Sequence, residues 1–406
     1  MNLYDKASLI NTPNGYKASK LYSLKPTNGL GDFTFSRAST ALRRNSSGIW
    51  ESVANNVPRL SYPIGVGCPS WLLEPQSTNL FFNSAWVNSG GVPTNWSFGG
   101  TGTAVPNGLD STYDSSLGVT KYLFTATAQQ PVLFRSVAVV SGNTYVLSVE
   151  IKSYSGTLTY GDVLFAVGAF YSSSTFRLNG SVVSAATIVN QTGILELILV
   201  CNASGSSTMR VGSGALFADK TCTIELSAPQ VEIARRKTSP IITPVGSTLT
   251  RIADSPTLSS VSSLIGQQEG TILFDYIAGA SAEDDLFSYG TSGVNNVALI
   301  QAGNGNIQLY IYNNSSLLAI ASSITALSNT RYRIVARYKS GDTKIWINGV
   351  QVASNTTAFT FTSALENVRL SKVPNFLGAQ ANLNNSVALF PSLSDAECLA
   401  LSVIPS

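Results

Sequence analysis

Apolar and polar residues alternate with a period of two over many short stretches of this chain, which is the signature of half-buried strands. Near the start, Asp32–Ser39 alternates in this way, and Ile49–Val53 follows the turn signal Asn45-Ser46-Ser47-Gly48. Through the middle, strand-like runs at Lys121–Ala126, Val132–Val140, Thr144–Lys152, Asp162–Tyr171, Gly193–Cys201 and Cys222–Leu226 are broken by Ser-Gly-Asn, Ser-Gly-Thr and Asn-Gly turns. In the last third, Gly270–Tyr276, Asp285–Gly290, Asn306–Tyr312 and Tyr332–Tyr338 alternate, and Thr343–Val352 turns at Asn348-Gly349, a dipeptide suited to a two-residue hairpin. Helical signals come only at the end. There Ser394-Asp395-Ala396-Glu397 forms a capping box, with Leu393 and Cys398 placed as its hydrophobic staple. Regular short strands without helical periodicity predict an all-β chain: two β-sandwiches preceded by a small, turn-rich N-terminal module.

The stretch Ala228–Pro256 interrupts this pattern. Pro229, Pro240, Pro244 and Pro256 remove backbone donors and hold the preceding residues extended, so the stretch reads as a semi-rigid connector at the seam between the sandwiches. The expected boundaries are residues 1–79 for an N-terminal attachment module, 80–235 for the first sandwich, 236–256 for the connector and 257–406 for the second sandwich.

Composition narrows the function classes. Of 406 residues only 12% are charged while 44% are hydrophobic, so solubility rests on Ser, Thr, Asn and Gly, a balance more usual in extracellular or virion β-proteins than in cytoplasmic α/β enzymes. A formal charge of +3 gives no footprint for nucleic acid, and Arg43-Arg44 and Arg235-Arg236-Lys237 read as solvated turns. Met1–Lys6 lacks a basic region followed by an apolar core, and no apolar run would span a bilayer, so the expectation is synthesis in a host cytoplasm without a signal peptide and no membrane insertion. With no histidine and no Cys-x-x-Cys pairing among Cys68, Cys201, Cys222 and Cys398, zinc sites of the usual kind are excluded. Strand parity points Cys201 and Cys222 into a core as reduced thiols, with a bridge between them left open as the alternative.

Several ordered blocks carry a resemblance. Phe33–Ser39 ends in Arg37-Ala38-Ser39; Asn56-Val57-Pro58-Arg59-Leu60 follows; then comes Leu72-Leu73-Glu74-Pro75-Gln76 before Thr78-Asn79-Leu80. With Pro229–Glu232, Thr238–Pro244 and Thr250–Asp254, these resemble phage virion appendage proteins of the tail-fibre or head-fibre kind. The usual connector has an aromatic where Pro240 stands, and a proline earlier than Pro244. The resemblance implies a carbohydrate-binding-module-like jelly roll opening at Asn79–Ser84. It also implies a concanavalin A- or laminin-G-like second domain, marked by the Ser340-Gly341-Asp342 turn and the Trp346–Gly349 hairpin arm. By the same analogy the protein belongs to the virion, with other virion proteins and a host surface polysaccharide as partners. It is expected to be a homo-oligomer, a trimer by fibre analogy, docked through residues 1–79.

Sugar C–H faces pack on aromatic rings, so aromatics beside amides and charged donors are the candidate glycan contacts. In the first sandwich these are Trp86 and Trp96, with Tyr113, Tyr154, Tyr160 and Tyr171 behind them; core packing is the competing role for each. In the second, Tyr310 and Tyr312 share one strand face, and Trp346 shares a face with Lys344 and Asn348; covering a strand edge or a subunit contact is the competing role for Trp346. Glu283, Asp284 and Asp285 cluster in an apparent loop and are the candidate calcium ligands, with a solvated turn as the alternative; no other cofactor is expected. No Glu-x-Asp-x-Glu strand, catalytic triad or phosphate loop occurs. The reading is a non-enzymatic virion protein with glycan binding. A purely structural capsid or tail decoration protein and a polysaccharide-degrading hydrolase remain open beside it.

Overall fold

The computed structural model describes residues 2–63, 67–88, 91–126, 131–214, 221–279, 284–291, 294–371 and 382–405. The chain is nearly all strand, as its periodicity predicts, and forms two compact units. No helix among the described residues is long and apolar enough to cross a membrane.

One unit takes residues 1–48, 53–75 and 252–406. Among the described residues it holds two antiparallel sheets, of eight and nine strands. The eight-stranded sheet runs Val350–Asn355, Thr343–Ile347, Arg331–Lys339, Glu269–Ile277, Asn382–Phe390, Ser70–Leu73 and Leu60–Ser61, with Leu9–Asn11 also paired to Asn382–Phe390. The nine-stranded sheet runs Tyr16–Lys17, Lys20–Leu21, Phe33–Ser36, Ser255–Leu258, Val368–Leu370, Asp284–Thr291, Asn295–Gln301, Asn306–Asn313 and Ser316–Thr325. Each strand turns one face inward, so Ile272, Phe274 and Tyr276 from one sheet share a core with Phe287, Tyr289, Leu309 and Ile311 from the other. Each such side chain contributes on the order of 1.5–3 kcal/mol through burial.

The first 75 residues therefore do not stand apart as the expected attachment module: they supply three strands to each sheet of the later sandwich. Nothing local in the sequence announces such pairings between residues hundreds of positions apart. The charged residues of those sequence blocks are buried within this unit. Arg37 donates to Asp254 at 3.1 Å and to the Val57 and Ala54 carbonyls, while Arg59 is clamped between Glu74 at 2.6 Å and Asp254. In a charge-poor interior such groups persist only when paired.

The second unit comprises residues 76–251 with Ile49–Ser52. Its seven-stranded sheet runs Thr103–Leu109, Thr120–Ala126, Cys222–Ile233, Thr144–Gly156, Gly193–Cys201, Tyr171–Leu178 and Ser181–Val183. A four-stranded sheet, Ser97–Gly99, Val132–Val139, Gly205–Gly212 and Leu164–Val167, closes over the shared core. The run expected as a strand over Asp162–Tyr171 is split, because Thr159 and Asp162 form a capping box and start a short helix, Tyr160–Val163.

The proline-rich stretch is only in part a connector. Strand Cys222–Ile233 passes through Pro229, which is tolerated at a bulge where the register shifts between Ser148 and Glu150 and Ala228 takes φ 48°. The chain then folds back onto its own sheet. Arg236 grips Glu196 through Nε at 3.1 Å and Nη2 at 3.0 Å, the Ile241 amide donates to Gln230 at 2.7 Å, and Asn79 donates to the Ile241 carbonyl at 2.9 Å. Arg236 is thus a buried ion-pair partner, not part of a solvated turn.

All four cysteines are free. Cys201, Cys222 and Cys398 are buried, as parity predicts for the first two, while Cys68 is exposed.

Candidate functional site

The strand Asn306–Asn313 reads Asn-Ile-Gln-Leu-Tyr-Ile-Tyr-Asn, and its alternation decides where each side chain goes. Ile307, Leu309 and Ile311 are fully buried in the core, so Gln308, Tyr310 and Tyr312 lie together on the outer face of the nine-stranded sheet, each half-buried. Tyr310 rests on Ala298 and Ile300, which fill the same face of the neighbouring strand. Tyr312 stands opposite Asn296, whose buried Oδ1 has no hydrogen-bond partner. Beyond Asn296 the face continues through Gly290, and beyond Ala298 through Ser288 to Arg369. Arg369 donates to the Gly290 carbonyl at 3.2 Å, and partial burial lowers its pKa from the usual guanidinium value. On the opposite side, Leu317 and Ala319 face Tyr312 and Tyr310.

Four adjacent strands therefore carry, from one side to the other, two phenol rings, an unsatisfied amide oxygen and a guanidinium, over ~14 Å at the usual strand spacing. That is the reach of a short oligosaccharide: rings to stack on pyranose C–H faces, an acceptor for a hydroxyl, and a donor at the far end. Tyr310 and Tyr312 were legible from parity. Asn296 and Arg369 were not, although each is a polar residue at outward parity within an apolar run, Val294–Ile300 and Val368–Leu370.

The other aromatic candidates are placed elsewhere. Trp346 does share a face with Lys344, as its parity requires, but that face is covered: Trp346 is 2% exposed, packed with Leu393, Cys398 and Leu401 beneath the helix Asp395–Ser402, with the Arg337 guanidinium 5.5 Å from its ring centre. It offers no ring to a sugar. Lys344 is held by Asp395 at 2.7 Å and Asp342 at 3.1 Å, and Asn348 accepts from the Arg333 amide in the turn. Trp86 and Trp96 are core residues as well, 0% and 7% exposed, in an edge-to-face cluster with Tyr122 and with Phe81 and Phe124 beside them. Tyr113 and Tyr160 are buried, and Tyr154 and Tyr171 pack partly against the same core.

The calcium reading changes too. Glu283 lies outside the described residues. Asp284 and Asp285 open the strand Asp284–Thr291 instead of lying in a loop, and as successive strand residues they point to opposite faces. Asp284 faces inward, where the Asn382 amide lies 3.4 Å away, while Asp285 is opposite Ile300 on the outer side. Two carboxylates on opposite faces of a sheet cannot share one ion. No group of three or more acidic or cysteine side chains fit to hold a metal occurs among the described residues.

Several buried carboxylates elsewhere are met by cations. Asp275 takes Arg331 and Arg333, each at 2.8 Å. Asp110 and Glu150 converge on Lys152, at 2.7 and 2.6 Å. Burial alone would raise the Asp110 carboxyl, but hydrogen bonds from Lys152 and Ser227 hold it below its ordinary value. A glycosidase general acid needs the opposite shift.

No family model matches the chain, and no curated protein matches it. Among solved structures, the chain is similar to the CBM40 of the Ruminococcus gnavus IT-sialidase bound to α2,3-sialyllactose, at 18% identity over 36% of this chain and 91% of that one, with a TM-score of 0.31. It is also similar to domain 4 of a GH43 extracellular arabinanase from Geobacillus stearothermophilus in complex with arabinotriose, at 16% identity over 37% and 73% of the two chains and a TM-score of 0.33. A SAP-like pentraxin from Limulus polyphemus gives 13% identity, 34% and 70% coverage and a TM-score of 0.27. At those values the likeness assigns neither ligand nor activity to this chain.

Proposed function

We propose that this protein is a non-enzymatic glycan binder of a phage virion, a fibre or a head or tail appendage, that holds a host surface polysaccharide on the outer face of its nine-stranded sheet. The observation that carries the binding reading is the Tyr310–Tyr312 face, with the unsatisfied Asn296 oxygen beside it and Arg369 beyond. A buried acceptor without a partner costs ~1–3 kcal/mol, and a sugar hydroxyl would recover that. Two half-buried rings on one face supply the stacking surface. The virion part of the proposal rests on the ordered Arg37-Ala38-Ser39, Asn56–Leu60 and Leu72–Gln76 blocks and the connector that follows. Other virion proteins are then its assembly partners, and a trimer is the oligomer expected by analogy. The absence of catalysis is supported by the cation pairing of Asp110, Glu150 and Asp275 and by the lowered pKa of Asp110.

The test is a bacterial surface-polysaccharide array probed with the intact protein and repeated with Tyr312→Ala and Tyr310→Ala. Binding that falls at least about tenfold in both variants, with thermal melts unchanged, is the expected result. Binding untouched by both substitutions would remove this face as the site. No binding to any polysaccharide would leave a purely structural virion role. Shortened glycan products in the same incubations would replace binding with hydrolysis.

A further inference from the structure

The other unit carries a second face of different chemistry. In its four-stranded sheet, Leu133, Val137, Met209, Val211 and Leu164 point into the core. The alternate residues Phe134, Arg210 and Phe165 therefore point outward, and they lie side by side across three strands: Arg210 pairs with Phe134 on one side and Phe165 on the other. All three are half-buried. The Phe134 ring lies close over Gly99, where an added Cβ would meet its Cε1 at 3.1 Å, so the glycine leaves room for a ring laid along the sheet.

Arg210 is the unusual member. Its side chain makes no hydrogen bond or ion pair with the described residues, and its Nε is buried without an acceptor. Other guanidiniums among the described residues are engaged, by carboxylates at Arg59, Arg236 and Arg331, or by neutral groups, as at Arg135 over Phe82 and Arg369 on Gly290. The Arg210 Nε is buried without an acceptor while the side chain as a whole stays half-exposed, and a carboxylate, which matches the guanidinium fork with two parallel hydrogen bonds, is the ligand group that satisfies it best. The next row of the same face, one strand pleat away, offers the hydroxyls of Ser136 and Thr208, which pair across the strands.

We propose that this face is a second carbohydrate site, separate from the tyrosine face, that takes a sugar bearing a carboxylate: the uronate group lies on Arg210, the pyranose packs on Phe134 and Phe165, and ring hydroxyls reach Ser136 and Thr208. The site does not depend on the tyrosine face, and either can fail alone.

The test uses the intact protein with tetragalacturonate and its fully methyl-esterified form, which keeps the shape and removes the charge, in calorimetric titrations at low and moderate salt. The acid form is expected to bind at least about tenfold tighter, with that preference shrinking as salt rises. Arg210→Gln should abolish the preference, Arg210→Lys should keep part of it, and Tyr312→Ala should leave it intact. Equal affinity for the two forms, no binding of the acid form at millimolar concentration, or a preference that survives Arg210→Gln would each overturn the proposal. A preference lost in Tyr312→Ala but not in Arg210→Gln would move acid recognition to the other unit and overturn it equally. The salt dependence of the unmodified protein decides the matter even if a variant proves unstable.

Discussion

A guanidinium with no exposed surface needs fixed partners for its charge, and at Arg59 these are carboxylates. Burial opposes its charge, but Asp254 and Glu74 outweigh that, and its pKa is raised beyond the usual guanidinium value. Removing it by Arg59→Ala takes the shared cation from the buried Glu74 and Asp254 carboxylates and leaves Arg37 on Asp254 alone, which should cost about 3–5 kcal/mol in urea unfolding, whereas replacing a surface lysine should change little. A loss below about 1 kcal/mol would mean that water reaches the cluster. Glu397 makes a gentler case at the surface: bonds from Lys6 and from Ser394 hold its carboxyl down to about 2, against an ordinary 4.5. Because the folded value is depressed, its stabilising contribution is complete above the ordinary value and is lost as pH falls from about 4.5 toward 2. Glu397→Gln should therefore flatten part of the acid limb in a melting-temperature series; an unaltered limb would contradict the pairing. Residue-level reading of the sequence succeeded where one strand's own alternation decides the outcome. Tyr310 and Tyr312 are on the face that parity gives them, and so is Trp346. It failed at Trp346 on a question parity cannot answer, namely whether another element lies on top.

That element is the helix Asp395–Ser402, whose capping box is legible in Ser394 and Glu397 but whose landing place is not. Cys398 and Leu401 press onto Trp346, Val335 and Phe390, and the helix also takes the Arg333 guanidinium on the Leu401 carbonyl at 2.7 Å. Burial pushes the Cys398 thiol up to about 11, so at pH 8 it is both covered and protonated. In a thiol-labelling experiment on the native protein, Cys68 should react at once and Cys398 slowly. Leu401→Ala, costing about 2–5 kcal/mol of packing, should speed labelling of Cys398 and shift tryptophan emission to the red. Equal rates at Cys68 and Cys398 in the native chain would show that the helix does not seal this face. The proline-rich stretch teaches the same lesson from the other side. Its prolines and basic run suggest an exposed linker, yet Glu196 holds both the Arg236 side chain and the Lys237 amide, and Gln230 holds Ile241. The sequence shows where regular alternation stops, but Glu196 and Gln230 carry no local mark of being partners. Trypsin added to the native protein should consequently spare the bonds after Arg236 and Lys237, and early cleavage there would contradict the folded-back path.

At the scale of the whole chain, one sandwich is inserted into another: residues 76–251 leave and return between Pro75 and Ile252, so the first unit is discontinuous in sequence. The two crossing points lie close together within the discontinuous unit, where the Asp254 amide donates to the Glu74 carbonyl at 3.0 Å. The inserted unit closes its own ends by pairing Ser77–Asn79 with Leu249–Arg251. Fold class was readable from period-two alternation, since that signal is local; the insertion was not, since it depends on pairings such as Pro256 with Phe35 and Leu72 with Leu383. This topology makes a sharp claim about fragments. Residues 252–406 alone would lack Leu9, Leu21, Phe33, Phe35, Trp71 and Leu73 from the core, at roughly 1.5–3 kcal/mol each, a sum that matches or exceeds the whole stability of an ordinary domain. They would also leave Asp254 buried without Arg37 and Arg59. That fragment should be insoluble or lack cooperative unfolding. Joining residues 1–75 to 252–406 through a short glycine-serine linker should restore one cooperative transition, because the bond between Asp254 and Glu74 already brings the ends together. Residues 76–251, with their own core and paired ends, should fold alone. If 252–406 unfolds cooperatively by itself while the joined chain does not, the N-terminal strands are not part of that sandwich, and the insertion is refuted.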